Sequence, residues 1–143
     1  MSALALSGVN TWYGQVPILQ GVSLEVQPGE LLAILGRNGA GKTTTIKSVM
    51  GIAPPREGEI LLNGASITGL PPYKVAQRGI VYVPASRGIF ATLTAIENLR
   101  IFEKKGGKYS TEGIFAMFPR LGEMKRRHGR TLSGGEQQML AIG

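Results

Sequence analysis

Apolar and polar positions alternate along the first part of the chain, most regularly where Val22, Leu24 and Val26 interleave with Ser23, Glu25 and Gln27. A period of two marks strands buried on one face, so Leu4 to Val26 is expected to form short half-buried strands. Pro28-Gly29 then turns the chain. Leu31 to Leu35 is a continuous apolar run, which predicts a strand covered on both faces, and it leads directly into Gly36. Residues 42–50 read as a helix that ends at Gly51, with Pro54 and Pro55 blocking its continuation. Glu59 to Leu62, followed by Asn63-Gly64, predicts one arm of a hairpin. Pro71-Pro72 opens a short helix through Gln77, and Ile80 to Val83 reads as another buried strand. Beyond Thr94 the period changes. Ile96, Leu99, Ile101, Phe115, Phe118 and Leu121 recur at helical spacing among many charges, which predicts a helical subdomain over about 94–130.

Composition narrows the class of molecule. The 143 residues are 43% hydrophobic and 17% charged, the balance of a globular domain with a real core. Cysteine is absent, which excludes a disulfide framework and a thiolate metal site and fits a reducing compartment. MSALALSGVN has neither a basic start nor a long apolar stretch, so no secretory signal is expected. No run approaches the ~18 apolar residues of a membrane span, and a soluble or peripheral protein is expected. The net charge of +7 is regional: nine of the sixteen basic residues lie between Arg100 and Arg130, against three glutamates. Such a patch suits an anionic partner, but a solvated helix face is the simpler reading. All nine acidic residues are glutamate, and the chain contains no aspartate.

Gly36-Arg37-Asn38-Gly39-Ala40-Gly41-Lys42-Thr43 satisfies the G-x-x-x-x-G-K-[ST] pattern, between an apolar run and a helix. Glycines let the backbone approach an anion and adopt dihedrals that a Cβ disfavours. Lys42 supplies a cation to the β and γ phosphates, and Thr43 offers a hydroxyl to Mg2+. The first turn of the following helix, with Thr44, adds exposed N–H groups and the positive end of a dipole. Nucleotide binding is expected.

Leu132-Ser133-Gly134-Gly135-Glu136-Gln137 has the spacing of a capping box ahead of Met139, Leu140 and Ile142. A capped helix start without bulky side chains is also an anion site. Paired with the phosphate loop, this segment resembles the signature motif of ATP-binding-cassette (ABC) proteins, and the loop resembles their Walker A motif. The likeness runs along the whole chain. Within the family, Thr94-Ala95-Ile96-Glu97-Asn98-Leu99, Phe118-Pro119-Arg120-Leu121 and the stretch 132–143 most resemble the LivF-type subunits of branched-chain amino-acid importers.

The resemblance implies an α/β fold: a P-loop NTPase core with an N-terminal antiparallel β subdomain, over about 1–93, and an inserted helical subdomain, over about 94–130. The signature and the start of its helix follow at 131–143. It implies ATP and Mg2+ as ligands, with Tyr13 stacking on adenine and Trp12 as the competing aromatic. Gly36, Asn38, Gly39, Ala40, Gly41, Lys42, Thr43 and Thr44 would hold the phosphates, and Thr43 the metal. Ser133, Gly134, Gly135 and Glu136 would contact the ATP of a second cassette subunit closed head to tail on the first. Transmembrane permease subunits would be the other partners, with no nucleic acid, at the cytoplasmic face of the membrane.

The same resemblance marks what departs from the pattern. Family members carry a metal-binding Walker B aspartate, a water-orienting glutamate beside it and a later histidine, whereas this chain has no aspartate and its only histidine, His128, precedes the signature. A truncated sequence, inactive in hydrolysis by itself, is expected. Ala85 stands where the family usually has Gln or Glu. Two rival readings stay open: a soluble cassette ATPase acting on nucleic acid or in translation, and a non-catalytic nucleotide-binding fragment.

Overall fold

The computed structural model describes residues 2–103 and 109–143. They fall into two compact units, Met1–Tyr82 and Val83–Gly143. Lys104, Lys105 and Lys108 of the basic run lie outside the described residues.

In the first unit the alternating N-terminal pattern becomes two long strands, β1 (Leu4–Tyr13) and β2 (Val16–Val26), paired antiparallel with Leu4 opposite Val26 and Tyr13 opposite Val16. Gly14 closes their turn at φ 60. β3 (Glu57–Leu62) pairs with the other edge of β1, and β4 (Ala65–Ser66) folds back on β3, giving the sheet order β2-β1-β3-β4. The Asn63-Gly64 connection has both residues at positive φ, 49 and 79, as a two-residue hairpin turn requires. The sheet's apolar face, Leu6, Val9, Leu19 and Ile60, packs with Val49, Met50, Ile67 and Val75 in one core. Val49 belongs to α1 (Lys42–Val49) and Val75 to α2 (Pro72–Gln77).

α1 ends as its sequence predicts. Gly51 at φ 69 donates to Ser48 O (3.1 Å), and Ile52 N–H donates to Lys47 O (2.9 Å), the two bonds of a Schellman motif. A Cβ at Gly51 would lie 2.1 Å from Leu70 O, so glycine is required by space as well as by dihedral. The helix is tied to the sheet by a buried polar pair, Thr11 Oγ1 and Ser48 Oγ, 2.9 Å apart. Each hydroxyl satisfies the other, so removing one leaves a buried polar group unpaired.

Two expectations are corrected. Leu31–Leu35 and Ile80–Val83 are not buried strands: both are irregular segments without a ladder partner among the described residues. Leu31 is 94% exposed, Leu35 88% and Val81 84%. A parallel strand is stabilised between neighbours and under helices on both faces, and none of the four strands of the antiparallel sheet pairs with either segment. Leu32, Ile34 and Ile80 instead help wall an open apolar concavity of about 450 Å³, together with Leu4, Leu24 and Ile46.

The second unit is helical. α3 (Ala95–Phe102) starts at a complete capping box, Thr94 with Glu97. α4 (Thr111–Met117) is capped by Ser110, α5 (Pro119–Glu123) begins with proline in its first turn, and a 3-10 turn at Gly129–Thr131 leads into α6 (Gly134–Ile142). Ala95, Leu99, Ile114, Leu121, Met124, Leu132 and Leu140 form its core. Asn98, buried, accepts from Phe90 N–H (2.7 Å) and donates to the carbonyls of Phe90 (3.0 Å) and Thr94 (2.9 Å), fixing the loop before α3. Ile101, expected at a helical apolar position, is half exposed.

Candidate functional site

The glycine-rich loop ends where α1 begins. Its last residue, Gly41, has φ 87 and caps α1 without a side-chain hydrogen bond, so the first-turn N–H groups are not claimed by a cap. Gly39, at φ 85, uses the same left-handed region. A Cβ at Gly41 would lie 2.7 Å from Leu19 Cδ2, a second reason for glycine there. Lys42 folds back over the loop, and its Nζ donates to Gly36 O (2.7 Å) and Arg37 O (2.8 Å). The ammonium is thus held against the loop rather than free in solvent. Thr45 donates its hydroxyl to Gly41 O at 3.1 Å, and Thr44 is buried. Thr43 is exposed, and its hydroxyl has no hydrogen-bond partner among the described residues.

An open concavity of about 380 Å³ joins this loop to the tip of the β1–β2 hairpin. Tyr13 and Ile18 form one wall, and residues 38–44 the other. Of the residues expected to bind nucleotide, Tyr13, Asn38, Gly39, Ala40, Gly41, Lys42, Thr43 and Thr44 therefore share one depression, and Gly36 adjoins it through Lys42. Tyr13 is 47% exposed, as a side chain offering a face to a ligand must be. Trp12, its competitor, is engaged elsewhere: the Arg56 guanidinium stands 5.3 Å from the centre of its ring. A backbone cradle with one cation suits a triphosphate. For Mg2+, no group of three or more His, Cys, Asp or Glu side chains that could hold a metal is present among the described residues. Thr43 fits as one oxygen ligand beside phosphate oxygens.

The signature residues lie in the second unit, at the start of α6. Ser133 N–H donates to Glu136 Oε2 (2.7 Å), and Ser133 Oγ accepts from Glu136 N–H (3.4 Å), completing the capping box. The Arg120 guanidinium lies 3.6 Å from the other Glu136 oxygen. Those bonds, the backbone N–H of Ser133 first, hold the Glu136 carboxyl below the usual glutamate range, with Arg120 and Arg127 adding to the shift and desolvation opposing it. Glu97 is lowered in the same way, chiefly by the Thr94 hydroxyl. A depressed carboxyl stabilises the fold above its unfolded value, and that stability is lost as pH falls through the folded value. Urea midpoints should therefore drop below about pH 4.5 in the parent. In Glu136→Gln part of that acid limb should be flattened, and an unchanged acid limb would contradict the role of this cap.

One residue beside the signature was not singled out by the sequence. Arg87 adopts φ 66, donates to Gln137 Oε1 at 2.8 Å, and has Nη2 3.1 Å from where a Gly134 Cβ would stand. Only the turn residues around it could have hinted at a special conformation. His128 serves structure here: its Nδ1 is 2.8 Å from Thr92 O, and it bridges Thr94.

The ABC transporter family model matches residues 19–143, and the chain belongs to the ABC transporter ATPase family, with its α/β P-loop fold. It is 38% identical over 98% of its length to the high-affinity branched-chain amino acid transport ATP-binding protein BraG of Pseudomonas aeruginosa. It is 38% identical over 94% of its length to a probable branched-chain amino acid transport ATP-binding protein, LivF, of Archaeoglobus fulgidus. The chain spans 62% and 58% of the length of these relatives. Among solved structures, a dimeric bacterial ABC transporter cassette matches with a TM-score of 0.79 at 26% identity, over 97% of this chain and 67% of that one. Among the described residues no helix is long and apolar enough to cross a membrane.

Proposed function

We propose that this chain is the nucleotide-binding part of an ATPase subunit that powers an importer, with branched-chain amino acids as the solute. The observation that carries the reading is the single depression in which Tyr13 faces the phosphate loop and Lys42. ATP would lie there with its base against Tyr13 and its β and γ phosphates on the loop amides and Lys42. Mg2+ would neutralise phosphate charge, with Thr43 as its ligand from this chain. Ser133, Gly134, Gly135 and Glu136 would meet the nucleotide of a second cassette subunit, so that ATP stabilises the closed pair and hydrolysis releases it. The solute is supported by the names of the two 38%-identical relatives. Spermidine/putrescine import subunits at 32, 37 and 36% identity and a lipopolysaccharide export subunit at 33% are similar as well, over smaller shares of their own length or at lower identity. Permease subunits at the cytoplasmic membrane face would be the further partners.

A mixing experiment in the whole protein tests the shared site. Lys42→Ala subunits and Ser133→Arg subunits are each expected to be inactive as homodimers. Mixed, they form heterodimers with one intact composite site, and ATPase activity with membrane partners should reappear. No recovery, together with crosslinking of Ser133 to the nucleotide held by the same chain's Lys42, would contradict the reading.

A further inference from the structure

The adenine wall stands on the least supported part of the sheet. β3 follows β1 only as far as the pair Asn10 and Glu57, so Thr11 to Tyr13 are flanked by β2 alone. There the register also shifts, and Trp12 lies opposite Pro17, which has no N–H to give to a ladder. A hairpin end held by so few backbone bonds does not by itself fix the direction of a terminal side chain.

Arg56 supplies what the ladder lacks. Its own N–H donates to Asn10 O (2.9 Å), which anchors it at the last β1–β3 pair. From that anchor its side chain runs along the unpaired edge. Nη2 donates to Gly14 O (2.7 Å) at the turn, and the guanidinium covers the Trp12 ring at 5.3 Å. Asn10 is itself braced, donating to Gly8 O (2.8 Å) and accepting from Gly21 N–H (2.8 Å). Residues 12 and 14 are thus both gripped by one planar cation, and the residue between them is Tyr13. Successive strand residues point to opposite faces, so gripping Trp12 sends Tyr13 towards the phosphate loop.

We propose that Arg56 is a positioning residue for the nucleobase: by clamping Trp12 and the Gly14 carbonyl it presents Tyr13 to the adenine ring. It touches no ligand itself. The proposal rests on the reading of the depression as an ATP site, and it predicts a specific split. Phosphate affinity belongs to the loop and Lys42 and does not depend on Arg56. Affinity due to the base depends on Arg56 as much as on Tyr13.

The test is equilibrium binding of Mg-ATP and of inorganic tripolyphosphate to the parent, Tyr13→Ala, Arg56→Ala, Arg56→Lys and the Tyr13→Ala/Arg56→Ala pair. Arg56→Ala should weaken ATP about tenfold and leave tripolyphosphate within about twofold. The double variant should be no weaker than Tyr13→Ala alone, because the two residues act through one contact. Arg56→Lys keeps the charge without the planar fork and should recover only part of the loss. Trp12 is the sole tryptophan, so its fluorescence reports the clamp directly, and the neutral quencher acrylamide should quench it more in Arg56→Ala. Equal losses for ATP and tripolyphosphate, or full additivity with Tyr13→Ala, would overturn the proposal and leave the ATP site standing. If Tyr13→Ala itself does not weaken ATP, the reading of Tyr13 fails and this proposal with it. If the parent binds neither ligand, the site reading fails first.

Discussion

Replacing Lys42 with alanine should abolish measurable nucleotide binding, weakening affinity by about 100-fold or more. Among the described residues the ammonium is the one cation fixed onto the loop by hydrogen bonds, through Gly36 O and Arg37 O, 2.7 and 2.8 Å away. Those carbonyls accept only two of its three protons, and the third is available to phosphate oxygen. The loop amides and the dipole of α1 supply partial charges only, too little to balance a triphosphate. Loss of the side chain also leaves the Gly36 and Arg37 carbonyls without their donor. The change lies at the first residue of α1, away from the buried core, so the variant should keep the parent's unfolding midpoint. An equilibrium titration giving the parent's affinity would show that this loop is not the nucleotide site.

The second large effect lies at Ala85. By the family resemblance this is the place of a Gln or Glu that would reach towards the metal and the attacking water, and a methyl group would supply neither contact. Nothing in packing demands the alanine: residues 85 and 86 form an exposed turn, closed by Arg87 N–H donating to Pro84 O at 2.8 Å. In the whole protein, with its membrane partners present and ATP saturating, Ala85→Glu should raise hydrolysis ~10- to 1000-fold, the worth of one positioned polar group. ATP affinity should change little. Equal rates and equal coupling to transport would mean that other groups, Ser86 among them, already serve.

The elements most legible in the sequence are those decided by local chemistry. Gly51 had to end α1 because only glycine takes φ 69 beside Leu70 O, and Asn63-Gly64 had to turn a hairpin. Ser133 and Glu136 form the reciprocal cap that their spacing announced. The phosphate loop was readable for the same reason: each of its residue types answers a local requirement of anion binding. What failed was inference from apolar runs. Leu31–Leu35 records that a strand would need cover on both faces, but an apolar run cannot record whether neighbours are there to give it. The clamp of Arg56 on Trp12, and the Thr11–Ser48 pair, join residues 44 and 37 positions apart, with no periodicity to betray them. Nothing in the spacing around Pro55 distinguishes Arg56 from a solvated charge.

The central claim is that ATP occupies the depression between Tyr13 and the phosphate loop. Amide-resolved NMR titration of the chain with Mg-ATP measures this most directly. The predicted result is saturable shifts at Gly39, Ala40, Gly41, Lys42, Thr43 and Thr44, joined by Tyr13 and Gly14, and absent for the loop in Lys42→Ala. Saturable shifts that leave the loop amides unmoved and gather instead on the basic stretch between Arg100 and Arg130 would contradict it.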